Sequence, residues 1–503
     1  MPDQTHLTFD MLSVDRLSDE PMHRQIYSTL RRYILEDQIQ AQTLLPSTRS
    51  LAEELKVGRN TVIAAYDQLL AEGFVESRGG SGTWVAPLPQ VRPKATPAKR
   101  LSPPRQISRR GQILVNRPQP ARHADVINLY PGVPDTASFP FSIWSSLLAR
   151  NSRSRDERLL GYLSFAGHPG LRQTIAHNIS LSRGIKCTPE QVIIVTGAQA
   201  ALDLVARVLL DEDDRVWMEE PGYRGAASAF LAAGARLAPL KVDRRGWRLS
   251  DPELPPPRLV YVTPSCQWPF GTTMRIEDRL KLLEIAERNS AWIVEDDYDG
   301  EYRYRGRPMP ALRGLDQADH VIYVGSFGKT LIPSFRIGYL IVPNELSKSF
   351  DRAVSITGQF APLVLQATVN DFIKQGYFAT HLKRMRRLYA RRQAHFIELC
   401  DEHLSRWIAV SANDSGMQLL ATFKHPLNDQ DVVAAALAEG LDVQGISISY
   451  HSTEPEHGLL LGYTAMDECR TLRAVLALRA AFLRLDPSPQ HKILPCSREL
   501  TRI

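Results

Sequence analysis

The feature that most constrains this chain is a long stretch of proline and basic residues between two patterned regions. Residues 87–125 are rich in Pro, Arg and Lys and show neither helical nor strand periodicity. Such a segment buries too little apolar surface to fold, which predicts an extended linker. It divides the 503 residues into a small unit at 21–86 and a long unit at 126–485, with tails at 1–20 and 486–503. The basic linker residues form a solvated spacer or, alternatively, add phosphate contacts beside the small unit.

The composition is that of a folded protein in contact with water. Apolar residues make up 43% and charged residues 23% of the chain, close to globular averages. The net charge of +6 permits contact with nucleic acid but is weak support for it. The five scattered cysteines never occur at metal-ligand spacing, which argues against a zinc site or a disulfide framework and favours the cytoplasm. The sequence shows no signal-peptide or membrane-spanning pattern, so we expect neither secretion nor membrane insertion.

Apolar residues of the small unit recur at helical spacing. Ile26, Leu30, Tyr33 and Ile34 form one stripe. Ser47 signals the start of a second helix, whose inner face is Leu51, Ala52 and Leu55, and Gly58 marks a turn before a third. The inner face of the third helix carries Val62, Ala65, Tyr66 and Leu69. Two short helices joined by a turn containing Gly are typical of a helix-turn-helix, whose second helix enters the DNA major groove. The segment FVESRGGSGTWVAP then predicts two short strands around a glycine-rich tip, as in a wing.

Three motifs of the small unit, LPSTRSLAEEL, GRNTV and GSGTWV, follow one another as in the GntR family, which residues 20–86 resemble. The resemblance implies a winged helix-turn-helix of α+β type that binds double-stranded DNA. The DNA contacts it implies are Arg49, Arg59, Asn60 and Thr61, with Gly80 and Ser81 at the wing tip near the minor groove. Arginine suits guanine edges and phosphates, whereas Thr and backbone amides suit phosphates. The alternative is a winged helix used only for protein contact.

In the long unit, short β-branched strands alternate with longer amphipathic helices. The segments QVIIVTGAQAALDLVARVLL and RLVYVTPS show this alternation, and WIVEDDY and HVIYVGSF are further strands that end in polar residues. The pattern predicts βαβ units and a mainly parallel sheet. Ligands bind beyond the carboxyl ends of the strands in such α/β sheets, so we expect the chemistry at these polar endings.

Two of the polar endings suit a phosphorylated aromatic ligand. In VTGAQAALDLVA a glycine separates a strand from a helix, so that the backbone amides of Ala198 and Gln199 can bind a phosphate at the helix N-terminus. In EEPGYRGA, Tyr223 lies on a turn where its ring can stack on an aromatic cofactor. Each signal is weak by itself, since an isolated Tyr after Pro-Gly is more often a packed surface ring.

A carboxylate ends the strand in IVEDDYDGEYRY. Asp296 in that position needs a positive partner, because burying a carboxylate is costly, and a protonated pyridine nitrogen supplies one. The phenol of Tyr298 would then donate to the ring oxygen of the cofactor. The alternative is that Glu295, Asp296 and Asp297 form a metal-binding or solvated acidic cluster. No His or Cys lies nearby at ligand spacing, which counts against a transition metal.

A lysine follows the next strand, in VIYVGSFGKTLIPSFRIGYL. Small residues flank Lys329 and leave space around its amine, which can form an imine with an aldehyde. Ser326 and Arg336 are placed to bind a phosphate, the arginine by a bidentate contact. A lysine elsewhere is usually a solvated surface group, but this one lies between an apolar strand and a small-residue turn.

These motifs and VTPSCQWPFG occur in the same order as in fold-type I, aspartate-aminotransferase-like enzymes. Residues 126–485 resemble these enzymes. The fusion to a GntR winged helix narrows the resemblance to the MocR/GabR branch. It implies an α/β PLP-dependent transferase domain that binds pyridoxal 5′-phosphate (PLP), with Lys329 as the Schiff-base lysine. Asp296 then pairs with the pyridine nitrogen, Tyr298 with the ring oxygen, and Tyr223 stacks on the ring. The phosphate cradle it implies consists of Ala198, Gln199, Ser326 and Arg336.

The long unit also departs from that branch. Cys266 stands where the branch has His, and Gly328 stands where it has Ser. The arginine with which aminotransferase-like proteins grip a substrate carboxylate is expected near Leu460, where the segment HGLLLGYTAM contains none. Without this grip an aminotransferase loses the positioning of its substrate, unless Arg224 or a linker residue replaces it.

The sequence therefore favours a PLP-dependent DNA-binding transcriptional regulator. Its aminotransferase-like domain would sense PLP itself, or a small amine or amino acid, through an aldimine at Lys329. One alternative is an active aminotransferase with a fused DNA-binding domain. Another is a scaffold without cofactor, which the retention of Lys329, Asp296, Tyr298 and Arg336 disfavours. The family likeness implies a head-to-tail homodimer, whose two winged helices suit an operator with paired half-sites.

Overall fold

The computed structural model divides the chain into two compact units, Met1–Arg105 and Gln106–Ile503. It describes residues 12–79, 82–87, 106–115, 126–161, 165–306 and 309–485. Gly80 and Ser81, the predicted wing tip, lie outside the described residues, as do residues 1–11 and 486–503 of the predicted tails.

The first unit is a winged helix, as the sequence predicts. Its elements are helices α1 (Met22–Leu35), α2 (Thr48–Glu54) and α3 (Arg59–Ala71), followed by strands β1 (Val75–Arg78) and β2 (Gly82–Val85). The two strands pair antiparallel, with Val75 opposite Val85 and Arg78 opposite Gly82. The two strands follow the third helix as an antiparallel pair, which is the place of a wing in this fold.

Local signals and a shared core explain why these helices form. The Ser47 hydroxyl oxygen accepts a hydrogen bond from the Ser50 backbone N–H at 3.0 Å, which caps α2 and is worth about 1 kcal/mol. Most residues of the predicted inner faces are buried in one core cluster, and Tyr33 and Leu55 are partly buried against it. The buried members are Ile26, Leu30, Ile34, Leu51, Ala52, Val62, Ala65, Tyr66 and Leu69. The helical periodicity of the small unit is thereby confirmed.

The second unit alternates strands and helices along most of its length. Its helices are α4 (Arg109–Val115), α5 (Phe141–Ser152), α6 (Glu157–Leu160), α7 (Pro169–Arg183), α8 (Ala198–Leu209), α9 (Arg224–Ala233), α10 (Ile276–Arg288), α11 (Leu312–Leu315), α12 (Ser347–Thr357), α13 (Leu363–Lys374), α14 (Tyr377–His403), α15 (Asp429–Ala438) and α16 (Glu468–Leu485). Its strands are β3 (Ile127–Asn128), β4 (Val192–Val195), β5 (Arg215–Glu220), β6 (Arg236–Asp243), β7 (Gly246–Trp247), β8 (Leu259–Val262), β9 (Trp292–Asp296), β10 (Val321–Ser326), β11 (Gly338–Ile341), β12 (Ile408–Val410), β13 (Gln418–Phe423), β14 (Leu441–Asp442), β15 (Gln444–Gly445) and β16 (Gly458–Gly462).

The largest sheet among the described residues of the second unit has eight strands. Its strand order is β4-β11-β10-β9-β8-β5-β6-β7, and all strands run parallel except β11 and β7. Ile193 and Val195 pack in the core on one face, whereas Val192 and Ile194 pack on the other. Strands buried on both faces consist of continuous apolar residues, as VIIV does in β4. The prediction of a mainly parallel sheet is confirmed.

A smaller antiparallel sheet, in the order β12-β13-β16-β15, packs with α14, α15 and α16 in a second core. Leu459 and Leu461 of β16 point into this core, and the Trp407 ring stacks on Phe482 at 5.5 Å between centroids. The short strands β14 and β3 pair in parallel as a separate two-stranded sheet.

A short helix lies within the segment that the sequence predicts to be an extended linker, and here the prediction is wrong. Helix α4 belongs to the second unit and packs against α9. The Ser108 hydroxyl oxygen accepts a hydrogen bond from the Gly111 backbone N–H at 3.0 Å, which caps the start of this helix. The overall composition of residues 87–125 gives no indication of this serine cap. The remainder of the predicted linker, residues 88–105 and 116–125, lies outside the described residues.

Candidate functional site

The predicted residues of the long unit meet at the carboxyl ends of the parallel strands. Asp296 is the last residue of β9, and it pairs in register with Val324 of the neighbouring strand β10. Ser326 ends β10, and Lys329 follows it by three residues. The positive charge of Lys329 acts on the Asp296 carboxyl, so the fold brings the amine and the carboxylate into one site.

Lys329 is held by a backbone carbonyl from a distant part of the chain. Its Nζ donates a hydrogen bond to the Gly132 carbonyl oxygen at 2.7 Å. Gly132 has φ +68°, and a Cβ there would lie 2.5 Å from the lysine Nζ. The backbone conformation favours glycine at this position, and a larger residue would displace the lysine amine.

Asp296 is buried and carries one unsatisfied oxygen. Its Oδ2 accepts a hydrogen bond from the Tyr261 hydroxyl at 2.8 Å. Its Oδ1 is also buried and has no hydrogen-bond partner among the described residues. Burial raises the pKa of Asp296 to about 7. A buried oxygen without a partner is costly, and the protonated ring nitrogen of PLP is a donor that would satisfy it. The residue thus fits this cofactor.

Arg336 and the N-terminus of α8 together form a candidate anion-binding site. Gly197, with φ +89°, precedes α8, so the first backbone N–H groups of the helix, at Ala198 and Gln199, have no acceptor within the helix. The guanidinium carbon of Arg336 lies 3.6 Å from the position that a Cβ of Gly197 would take. An arginine at a helix N-terminus is a ready site for a phosphate.

Ser326 lies on the same loop, where its Oγ accepts a hydrogen bond from the Gly328 backbone N–H at 3.1 Å. The Gln199 side chain is used differently, because its Nε2 donates to the Gly225 carbonyl oxygen at 2.9 Å. Its backbone therefore remains the group that can face an anion, and its side chain holds the turn after Tyr223.

Three aromatic rings line one side of the site. The ring centroids of Tyr223 and Trp268 are 6.2 Å apart, and those of Trp268 and Tyr298 are 6.0 Å apart, both pairs edge to face. Burial raises the pKa of Tyr298 well above its usual range, so its hydroxyl keeps its proton at neutral pH. Gln418 Nε2 donates to that hydroxyl oxygen at 3.1 Å. Sequence reasoning missed Trp268 and Gln418.

Cys266, the residue that replaces the usual histidine, is buried next to the Tyr298 hydroxyl. Burial raises the pKa of its thiol to about 12. The thiol therefore stays protonated, and it lacks the thiolate character that reactive cysteines need. It acts as a small packing partner of Tyr298.

The three consecutive carboxylates of β9 and its end have separate partners. Glu295 accepts hydrogen bonds from the backbone N–H groups of Leu312 and Arg313, each at 2.8 Å. Asp297 accepts from Arg183 Nε at 2.6 Å, and the arginine charge lowers the pKa of this carboxyl. They are not one solvated cluster. No group of three or more His, Cys, Asp or Glu side chains is placed to hold a metal within the described ranges.

Leu460 lies in β16 and is fully buried, opposite Leu420 on one neighbouring strand and Gln444 on the other. The strand thus presents an aliphatic side chain where a carboxylate-binding arginine was expected from the resemblance. Arg224 begins α9, is half-buried and interacts electrostatically with Tyr130. Tyr130 precedes by two residues the glycine that holds the Lys329 amine, so Arg224 is a cation near the site.

Four of the predicted DNA-contact residues of the first unit fall within the described residues, and they lie on α2 and α3. Arg49 of α2 is exposed, and Arg59 and Asn60 are exposed at the start of α3, followed by the partly buried Thr61. Arg59 Nε donates to the Thr48 hydroxyl oxygen at 3.3 Å, which links α2 and α3. A cation at the N-terminus of the second helix of a helix-turn-helix suits contact with DNA.

The fold and the two sites define a class of protein. A winged helix with an exposed arginine at the start of its third helix is fused to an α/β domain whose strand ends suit PLP. This pairing is that of a DNA-binding transcriptional regulator with an aminotransferase-like domain. Within the described residues no helix is long and apolar enough to cross a membrane.

Comparison with known proteins defines the family. Residues 22–85 match the family of bacterial regulatory proteins called gntR, and residues 124–458 match aminotransferase class I and II. The chain belongs to the MocR/GabR type of transcriptional regulators, in which these two domains are fused. The aminotransferase fold and its PLP-containing structural neighbours imply pyridoxal phosphate as the cofactor, and the gntR domain implies DNA binding.

Relatives and solved structures agree with this assignment. The probable rhizopine catabolism regulatory protein MocR of Rhizobium meliloti is 52% identical, covering 95% of this chain and 97% of its own. The pyridoxine biosynthesis regulator PdxR of Corynebacterium glutamicum is 31% identical, covering 90% and 94%. The α-aminoadipate aminotransferase LysN of Thermus thermophilus, solved with a phosphopyridoxyl-leucine compound, is 28% identical with a TM-score of 0.66, covering 72% and 93%.

Proposed function

We propose that this regulator senses a small molecule at Lys329 and changes its DNA binding in response. The effector is PLP itself, or a small amine or amino acid that reacts with the bound cofactor. The observation that supports this best is the buried, unpaired Oδ1 of Asp296, which lies in the same site as the Lys329 amine. We infer that this DNA-binding protein uses the cofactor site to sense the effector.

Each site residue has a proposed role toward the cofactor. PLP supplies an aldehyde that condenses with amines and a ring that withdraws electrons. Lys329 would hold the aldehyde carbon and Asp296 would keep the ring nitrogen protonated, while Tyr298 would donate to the ring oxygen. Ala198 and Gln199 at the N-terminus of α8, together with Ser326 and Arg336, would bind the phosphate, and Tyr223 would stack on the ring.

The aliphatic surroundings of Leu460 favour sensing over turnover. A transaminase must fix the carboxylate of an amino acid in order to orient Cα for proton loss. The buried Leu460 offers no charge for this purpose. The names of the two related regulators refer to rhizopine catabolism and pyridoxine biosynthesis, so we propose an amine or PLP as the signal for this chain too.

The second candidate function is transamination, and one observation favours it. Arg224 is half-buried near Tyr130, which places a positive charge beside the segment that holds Lys329. An arginine there can replace the expected carboxylate-binding arginine. The protein would then complete both half-reactions with a suitable amino acid and keto acid.

We propose a head-to-tail homodimer, because the aminotransferase-like domain resembles enzymes that are dimers. Two winged helices in one dimer suit an operator with paired half-sites. Light-scattering mass measurement of the purified chain tests this: a dimer mass is expected, and a monomer mass at micromolar concentration would reject it.

Spectroscopy of the cofactor-loaded protein separates sensing from turnover. Candidate amines and amino acids are added to the full-length protein while the visible absorbance of the bound cofactor is followed. Sensing predicts a saturable spectral change without formation of a new amino acid when a keto acid is supplied. Repeated turnover would reject the sensor-only function in favour of transamination. Lys329→Ala is the control, and we expect it to lack the visible band of the lysine-bound cofactor.

A further inference from the structure

A buried acceptor without a donor lies next to the Lys329 amine. Gln418 begins β13 and is almost fully buried. Its side-chain oxygen, Oε1, has no hydrogen-bond partner among the described residues. The point that a Cβ of Gly132 would occupy lies 3.9 Å from this oxygen and 2.5 Å from Lys329 Nζ. A buried acceptor without a donor costs free energy, so this oxygen is a candidate contact for a ligand that reaches Lys329.

The other polar groups of the Gln418 side chain and carbonyl have partners. Its Nε2 donates to the Tyr298 hydroxyl oxygen at 3.1 Å, and its backbone carbonyl oxygen accepts from Asn413 Nδ2 at 3.2 Å. The proposed role of Tyr298 fixes the orientation of the amide. If the single hydroxyl proton of Tyr298 goes to the ring oxygen of the cofactor, the phenol oxygen can only accept from Gln418. The amide N–H therefore points at Tyr298, which leaves Oε1 for another donor.

The acidic group near this oxygen disfavours a carboxylate in the ligand. Asp299 is buried and accepts a hydrogen bond from the backbone N–H of Met417, next to Gln418, at 3.1 Å. Its carboxyl group is close enough to Lys329 for their charges to interact, and its Oδ1 has no hydrogen-bond partner within the described ranges. A ligand carboxylate would bring further acceptors and a second negative charge toward these oxygens. A hydroxyl group supplies a proton and no charge.

We propose that Gln418 determines the specificity of the cofactor site, because its Oε1 accepts a hydrogen bond from a hydroxyl group of the effector. The effector is accordingly a small primary amine that carries a hydroxyl group and no carboxylate. This inference rests on the proposed sensing function, since it takes an amine to be the molecule that reaches Lys329. It concerns the non-covalent recognition of that amine and names its chemical class.

Three two-carbon amines test this specificity. Ethylamine, ethanolamine and glycine have the same amine and the same number of carbon atoms, and they differ in a methyl, hydroxyl or carboxylate group at the other end. Each is titrated into the full-length protein loaded with PLP, and its dissociation constant is read from the cofactor absorbance. We expect ethanolamine to bind more tightly than glycine. This comparison uses the unmodified protein alone, so it decides the proposal even if a variant fails to load.

The contribution of Gln418 is measured with Gln418→Met, which removes the acceptor and keeps a side chain of similar length. The matched control is Gln393→Met. Gln393 Nε2 donates to the Tyr463 hydroxyl oxygen at 3.1 Å in the core of the second unit, so the control removes a buried glutamine–tyrosine hydrogen bond of the same kind. Circular dichroism and the cofactor absorbance verify that each variant is folded and loaded.

The decisive quantity is the ratio of the affinities for ethanolamine and ethylamine. Gln418→Met is expected to lower this ratio about tenfold, the effect of one hydrogen bond to a buried acceptor, and Gln393→Met is expected to leave it within about twofold. Comparing the ratio between proteins cancels the difference in basicity between the two amines. It also cancels a general weakening of the site, which a merely structural role of Gln418 would cause.

An unchanged ratio in Gln418→Met would overturn the proposal, as would an equal fall in Gln393→Met. Tighter binding of glycine than of ethanolamine would also overturn it and would leave Arg224 as the partner of an effector carboxylate. These outcomes keep the proposed sensing of amines intact. A loaded protein whose absorbance responds to none of the three amines would contradict amine sensing itself, and this inference with it.

Discussion

At the scale of single residues, the buried carboxylates of the second unit differ in whether their oxygens have hydrogen-bond donors. Burial raises the pKa of Glu219, Glu295 and Asp296 to about 7 in each case. Glu219 accepts hydrogen bonds from Thr263 and Trp247, and Glu295 accepts two from backbone N–H groups. Asp296 has one donor, Tyr261, and an unpaired oxygen. A further hydrogen-bond donor would satisfy the Oδ1 of Asp296.

Asp296→Asn is expected to stabilise the cofactor-free protein while weakening its affinity for PLP. A pKa raised from 3.8 to about 7 means that the folded state binds this proton more tightly than the unfolded chain does. The contribution of Asp296 to stability therefore falls as the pH rises from about 4 to 7. Asparagine has no such titration. The increase in free energy of unfolding that Asp296→Asn causes should therefore be larger at pH 8 than at pH 5, by about 2 to 3 kcal/mol.

Urea unfolding of the cofactor-free proteins at pH 5 and pH 8 measures this difference, and a PLP titration measures the affinity. A stability gain of the same size at both pH values would show that Asp296 does not titrate in this range. Unchanged PLP affinity would remove Asp296 from the cofactor site.

At the scale of elements, the junction of β4 and α8 determines the phosphate site. Gly197 has φ +89° and ψ 173°, a conformation that is essentially restricted to glycine. It turns the chain so that the N-terminus of α8 meets Arg336. The helix end and the arginine act together, because both favour a negative charge at the same point.

Gly197→Ala is expected to weaken PLP binding at least tenfold, in addition to a backbone cost of about 1 to 3 kcal/mol. Gly184→Ala is the matched control, since Gly184 also has positive φ at the C-terminus of α7 and nothing lies within 4 Å of its added Cβ. The control should lose stability without losing PLP affinity. Equal PLP affinities for the two variants would contradict the role of the α8 N-terminus.

Sequence patterns predicted the elements best where the signal is local. The three helices of the first unit and the strand ends at Asp296 and Ser326 follow from periodicity and from polar residues after apolar runs. Tyr261 and Gln418 were not found, because each reaches the site from a separate part of the chain. Tyr261 lies on β8, 35 residues before its partner, and Gln418 begins β13 of the small sheet. Contacts of this kind depend on strand order, which no local pattern encodes.

The roles of the individual cofactor-site residues are predictions that come from the family resemblance. The resemblance assigned Lys329, Tyr223 and Arg336 to the cofactor, and the structure brings them to the strand ends. The short helix α4 shows the limit of composition, since a single capping serine and a neighbouring helix were enough to order part of a proline-rich segment.

At the scale of the whole molecule, the central question is how the cofactor site and the DNA-binding unit influence each other. Coupling between two binding sites is reciprocal in free energy, typically 1 to 3 kcal/mol. If an effector changes operator affinity by some factor, the operator must change effector affinity by the same factor.

This reciprocity is a prediction for the full-length protein. Effector affinity, read from the cofactor absorbance, is measured with and without saturating operator DNA, and operator affinity is measured with and without effector. We expect the two ratios to agree within error. A non-operator duplex serves as the control for charge effects. Ratios that differ would mean that a second effector site or a change of oligomeric state contributes.

The most direct test is the operator affinity of the cofactor-loaded protein and of its Lys329→Ala variant, measured across a titration of PLP or the identified amine. Sensing at Lys329 predicts that the effector changes the Kd of the unmodified protein by about 5- to 150-fold, in either direction, and leaves that of the variant unchanged. The same effector response in both proteins would contradict the proposed role of Lys329.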